Sequence, residues 1–176
     1  GAMVSMSGNV QIQTRMQGGV LVALKRKVLG GESLFTNTFT AAGAPGEVTL
    51  APTLPGDLSH ITLAGGTFFL QSGSYVASSP GISIDTSWGG SRGFFSGEGL
   101  FLLKATGSGD LLFSSYGAIH RVDLDGRAPY IVDTGHVVAF ASGLTYRVTG
   151  VGGIKSTLLS GEGLVCEFTG AGPLYL

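Results

Sequence analysis

Apolar and polar residues alternate in short runs along this chain, and the runs stop at glycine. Val10 and Ile12, Ile82 and Ile84, and Leu144 and Tyr146 each sit two apart with a polar residue between them. A period of two marks a β-strand with one buried face. The three runs end equivalent segments: "GAMVSMSGNVQIQ" at 1–13, "GSYVASSPGISID" at 73–85 and "GHVVAFASGLTYR" at 135–147. Each begins with Gly, has Val three residues on, and reaches a second Gly before the alternation starts.

A second mark follows each segment. "GGESL" stands at 30–34, and "SGEGL" stands at both 96–100 and 160–164. The Gly-Glu pairs are Gly31-Glu32, Gly97-Glu98 and Gly161-Glu162, recurring roughly every 65 residues. Downstream come "LFTNTFTAAGAPGEVTLAP", "LFLLKATGSGDLLFSSYG" and "LVCEFTGAGPLYL". Each reads as strand, Gly-containing turn and strand, hence a hairpin. Two further pieces, 56–73 and 117–135, read as hairpins turning at Gly65-Gly66 and at Asp125-Gly126.

Self-similarity at a fixed period predicts duplicated architecture. The expected organisation is a single pseudo-repeat domain over 1–176, with repeats near 1–55, 56–116 and 117–176. The first copy lacks the hairpin that precedes Gly73 and Gly135, so the reading expects one more hairpin ahead of residue 1. One stretch departs from the strand pattern: "GGVLVALKRKVLGG" at 18–31 predicts a short helix near 20–29. The fold class is therefore all-β, in repeated units of antiparallel strands.

Composition narrows the picture. Lys plus Arg is 10 and Asp plus Glu is 11, giving a net charge of −1. This balance disfavours nucleic-acid binding driven by overall charge. Charged residues are only 12% of the chain and glycines number 31. Low charge with many apolar residues argues against disorder and for a surface partly covered by other subunits. The single cysteine, Cys166, fits a reducing compartment and reads as a small apolar strand residue. No run approaches the length needed to span a bilayer as a helix, and no signal peptide is visible at the start.

Glycine in the repeated turn supplies backbone angles that other residues reach only with strain. Glu32, Glu98 and Glu162 are expected to accept hydrogen bonds from free amides of that bend or to pair with a nearby base. Convergence of the three as a hard-cation site is the alternative. The connections that lead into the turns carry Lys25, Arg26 and Lys27, then Arg92, then Lys155. These five bases are the candidate contacts for an anion or a membrane surface, because "LKRK" is flanked by Val20, Leu21, Val22, Val28 and Leu29. The plain alternative is a solvated turn with apolar neighbours packed on the fold. Trp88 is expected either between subunits or at a strand end.

Catalytic signals do not assemble. His60, His120 and His136 form no His-x-His pair, and each reads as an ordinary strand or surface histidine. There is no Gly-x-Ser-x-Gly elbow and no Walker lysine, and "TGSGD" at 106–110 reads as a turn between strands. The expectation is no catalytic residues, no metal site and no cofactor.

The pieces "GAMVSMSGNV", "GGVLVALKRKVLGGESLFTNTFTA", "LAPTLPG", "RGFFSGEGLF", "VDTGHVVAF" and "SGEGL" resemble the AIM24 family, also called DUF124, over nearly the whole chain. That family occurs in bacteria and as a mitochondrial protein of fungi. The resemblance implies kinship in fold to the tryptophan RNA-binding attenuation protein, a double-stranded β-helix or jelly-roll unit that joins into rings. It implies self-association, as a homotrimer or ring, and a cytoplasmic place in bacteria or a mitochondrial one in eukaryotic relatives. Fold kinship does not transfer RNA binding. Three functions follow as expectations: a non-enzymatic oligomeric scaffold, at an anionic membrane surface or on a protein partner; a nucleic-acid-binding ring; and a small-ligand-binding cupin-like barrel.

Overall fold

The computed structural model describes residues 2–16, 35–85, 100, 102–150 and 164–176. The helix expected near 20–29 lies outside them. Two compact units are present, residues 1–53 and 54–176.

The first unit has four strands: β1 (Met3–Met6), β2 (Val10–Met16), β3 (Phe35–Ala41) and β4 (Val48–Leu50). β2 pairs β3 and β1 pairs β4, both antiparallel. The expected hairpin of β3 on β4 is not formed. The two strands instead run one after the other along the β2 and β1 side, interrupted at 42–47.

The second unit joins nine strands among the described residues. In chain order they are β5 (Leu58–Gln71), β6 (Tyr75–Ser78), β7 (Ile82–Asp85), β8 (Leu102–Ser114), β9 (Arg121–Asp125), β10 (Tyr130–Asp133), β11 (Ala139–Ala141), β12 (Leu144–Gly150) and β13 (Leu164–Tyr175). β8 pairs β5 along its whole length on one edge. On its other edge it pairs β7 through Lys104–Gly107 and β6 through Leu111–Phe113. β13 repeats this scheme. It pairs β10 and β9 on one edge, and β12 and β11 on the other.

Four expected hairpins are corrected by these registers. Gly65-Gly66 is not a hairpin turn, because β5 continues through it and only a one-residue register shift marks the place. "TGSGD" and "TGAGP" likewise lie inside β8 and β13. β9 and β10 do part at Asp125-Gly126, but both pair with β13 and not with each other. They are the counterpart of β5 with its bulge widened into a break.

Chain geometry shows what the glycines do. Gln71 lies opposite Leu102, and Tyr75 lies opposite Phe113. Residues 72–74 join them and span at most roughly 14 Å. A straight strand from Leu102 to Phe113 would be roughly 37 Å long. β8 and its partner β5 therefore fold over together as a bent ribbon. The corner falls at Gly65 in β5 (φ 80°) and at Gly107 and Gly109 in β8 (φ 126° and 138°). β13 bends at Gly170 and Gly172 (φ 102° and 144°). Left-handed backbone at a bulge is the use glycine has in a bent strand.

The core sits around the far half of β5. Phe68, Phe69 and Leu70 are all buried there, since this stretch has β8 on one side and β11 on the other. Adjacent residues of a strand face opposite sides. Phe68 thus packs on Phe113 and Tyr175, with ring centroids 6.0 and 5.9 Å away. Phe69 packs on Phe140 at 5.2 Å, and Phe140 in turn touches Phe168 at 5.1 Å.

Candidate functional site

All the repeat-turn residues (Gly31, Glu32, Gly97, Glu98, Gly161 and Glu162) and all five candidate contact bases (Lys25, Arg26, Lys27, Arg92 and Lys155) lie outside the described residues. Trp88 does too. What the structure gives is their mounting. One connection leaves β2 and returns on β3, where Met16 faces Phe35. The next joins β7 to β8, whose ladder ends at Asp85 opposite Lys104. The third joins β12 to β13, where Gly150 faces Leu164. Each connection leaves from and returns to the equivalent antiparallel ladder.

Charge is divided between connections and framework. Five of the ten basic residues fall in the connections, against only Glu32, Glu98 and Glu162 of the eleven acids. The connections thus hold the excess of base and the described framework the excess of acid. Within the described framework three of the five bases pair with acids, and Arg15 stands across the ladder from Thr36. Arg121 bonds Asp123 at 2.7 Å, Arg127 bonds Asp125 at 3.2 Å and Arg147 bonds Glu167 at 3.0 Å. Lys104 stands across the ladder from Asp85. Asp85–Lys104 and Arg147–Glu167 occupy the same register position in the two ribbons with the signs exchanged. A framework position that tolerates either sign serves cross-strand pairing rather than binding of one charged ligand.

The histidines sit on the surface. His60 Nε2 lies 2.9 Å from Asp110 Oδ1, and Thr62 donates to the same oxygen at 3.0 Å. These bonds, His60 first, hold the Asp110 carboxyl below its ordinary range. Asp110 also takes its backbone amide to Ser79 Oγ, which accepts at 2.9 Å. His136 is the last residue of a short 3-10 turn that Asp133 caps, its Nδ1 3.4 Å from Asp133 Oδ1. Among the described residues no group of three or more His, Cys, Asp or Glu is placed to hold a metal ion.

Cys166 is fully buried among Val132, Phe140 and Phe168. Burial, with some help from the negative Asp133, pushes its thiol up to about 11. The fold favours the neutral thiol, so its contribution to stability is complete below the ordinary value of 9.0 and is lost as pH rises to about 11. Native protein is expected to resist thiol reagents at pH 8 and to react fully in urea. The Cys166→Ala variant is expected to lack this alkaline slope of the urea midpoint; equal slopes would show that another group titrates there.

The pattern of alternation missed the open edges. β1 pairs only β4, and β10 pairs only β13, among the described residues. Met3, Val4, Met6, Tyr130 and Ile131 are exposed on them. The available signal was "YIV" at 130–132, a run of consecutive apolar residues like "FFL" at 68–70, which marks a strand meant to be covered on both faces.

These features define an all-β protein of bent antiparallel ribbons with glycine corners and base-bearing connections. The chain belongs to the family Mitochondrial biogenesis AIM24, which matches it over residues 1–176. It is 32% identical over 184 residues to the uncharacterized protein M6_Spy0233 of Streptococcus pyogenes serotype M6, covering 100% of this chain and 73% of that protein. It also resembles the crystal structure of protein SPYM3_0169 from Streptococcus pyogenes, a Northeast Structural Genomics Consortium target. There the TM-score is 0.80 at 33% identity, over 99% of this chain and 79% of that one. Neither relative's name carries an activity. Among the described residues no helix is long and apolar enough to cross a membrane.

Proposed function

We propose that this chain is a non-enzymatic oligomeric scaffold whose base-bearing connections meet an anionic surface, a membrane or an acidic protein partner. The observation that carries the reading is the division of charge: the described framework holds five bases against eight acids and pairs three of those bases, while Lys25, Arg26, Lys27, Arg92 and Lys155 are gathered in the three equivalent connections. Bent antiparallel ribbons, and the edges of β1 and β10 left without a second partner among the described residues, support the kinship to the tryptophan RNA-binding attenuation protein and assembly as a homotrimer or ring. In bacteria such a scaffold would be cytoplasmic, and in eukaryotic relatives mitochondrial.

Light scattering after gel filtration, over a dilution series, is expected to give a constant multimer; a monomer at every concentration would end the scaffold reading. Lys25→Ala/Arg26→Ala/Lys27→Ala is expected to weaken binding to phosphatidylserine vesicles roughly 100-fold, since each base near such a surface contributes about 1 kcal/mol. Unchanged binding would remove the role of this connection. Retention of single-stranded oligonucleotides at low salt, lost on raising it, would favour the nucleic-acid ring instead.

A further inference from the structure

The open edge of β10 has a counterpart within the same unit that is not open. By register against the long strands, Tyr130, Ile131 and Val132 occupy the places of Phe68, Phe69 and Leu70. The helical caps agree: Gln71 accepts from the Gly73 amide and Asp133 from the Gly135 amide. In the first ribbon this stretch is covered by β11, which pairs Ala139 with Leu70, Phe140 with Phe69 and Ala141 with Phe68. Covered, Phe69 is 7% exposed; uncovered, Ile131 is 63% exposed. The structure thus displays both the edge and the kind of strand that fits it.

β1 has the features of that kind of strand. Its ladder to β4 carries an irregularity between Met3 and Ser5, as β6's ladder to β8 does between Tyr75 and Ala77. This aligns Val4, Ser5 and Met6 with Val138, Ala139 and Phe140. Val138 and Phe140 are 7% and 0% exposed under their covering, whereas Val4 and Met6 are 63% and 40% exposed. The edges of β1 and β10 that have no partner strand among the described residues each carry apolar side chains, at the positions that the observed β5–β11 pairing buries. β6 fits the β10 edge less well, because Ser78 stands where β11 has Phe140 and β1 has Met6. An exposed edge with apolar side chains invites pairing with another chain.

We propose that β1 of a second copy adds antiparallel to β10, with Ser5 opposite Val132, Met6 opposite Ile131 and Ser7 opposite Tyr130. The contact is head-to-tail, so it generates a ring where the rotation closes. It rests on the self-association proposed above and names the strands that carry it.

The test uses two separate full-length variants, Met6→Cys and Ile131→Cys, one with a size tag, mixed and treated with a short bismaleimide. Cys166 is buried and stays silent in the folded chain. Both substituted sites are exposed; if either variant misfolds by circular dichroism, Val4→Cys or Tyr130→Cys takes its place. The mixed product is expected roughly 100-fold faster than either same-site product, because a docked pair meets at millimolar effective concentration. Adding Tyr130→Lys to the Ile131→Cys variant is expected to abolish it, with the thiol at position 131 still present to report. Equal rates for all three products overturn the pairing, as does no cross-link when both thiols react with a monofunctional maleimide. A link formed only when both cysteines share one chain overturns it too. A constant multimer without the mixed link would leave the scaffold standing on a different interface, whereas a monomer would end both.

Discussion

Gly170→Ala is expected to cost the 54–176 unit about 2–4 kcal/mol, and Gly107→Ala a similar amount. Two independent effects add at each position. The backbone is left-handed, with φ 102° at Gly170 and 126° at Gly107, where a side chain brings strain. A Cβ on Gly170 would also be driven into the carbonyl oxygen of Gly143, and one on Gly107 into that of Gly81. Neither obstacle is a flexible side chain. At the first corner the approach is fixed by the amide of Ser108 donating to the Gly81 carbonyl at 3.2 Å. The long strand there passes from one edge partner to the next while folding over, so the corner has no room to open without losing a ladder. Gly66 is the control, since a Cβ there meets nothing within 4 Å and its φ is not left-handed. Gly66→Ala is expected to fall within about 0.5 kcal/mol of the parent protein. Urea midpoints and melting temperatures would separate the two, at roughly 2–4 °C per kcal/mol for a chain of this size. A cost below about 0.5 kcal/mol at both Gly107 and Gly170 would mean that the ribbon does not need its corner.

The same glycines explain what the sequence shows and what it hides. Strand alternation is legible: Ile82 and Ile84 are buried while Ser83 and Asp85 between and after them are exposed. The order of the landmarks is legible too, and it reappears as equivalent registers against β8 and β13. The hairpins were misread because a glycine at a hairpin turn and a glycine at a ribbon corner look alike in one dimension. Both need left-handed backbone, and only the partner strand tells them apart. Gly172-Pro173 also has the composition of a turn, yet Pro173 lies in β13 opposite Asp123. The open edges were illegible for a different reason. "FFL" at 68–70 and "YIV" at 130–132 make the same local statement, and burial depends on whether a distant strand arrives. The turn residues Gly31, Glu32, Gly97, Glu98, Gly161 and Glu162 were legible as a motif, but their geometry belongs to the connections and not to the described framework.

Phe140→Ala is expected to be the most damaging single truncation, at about 3–5 kcal/mol. Its ring is fully buried and lies 5.2 Å from Phe69, 5.1 Å from Phe168 and 5.6 Å from Tyr146. Removing it deletes edge-to-face contacts as well as apolar burial. The position matters beyond its area, because β11 is the strand that joins the two ribbons among the described residues: Phe140 pairs with Phe69 of β5 and with Leu174 of β13. A cavity there loosens the seam rather than one ribbon's interior. Phe69→Ala should therefore couple with Phe140→Ala, the double variant costing less than the two single losses together by about 0.5–3 kcal/mol. Tyr116→Ala, 78% exposed, is the control and should stay within about 0.5 kcal/mol. Additive losses at Phe69 and Phe140 would show that the ribbons are stabilised separately and that β11 only lies between them. Coupled losses would establish that covering of a β5-type edge by a β11-type strand carries much of the fold's stability. That is the interaction the uncovered edge of β10 is left to seek.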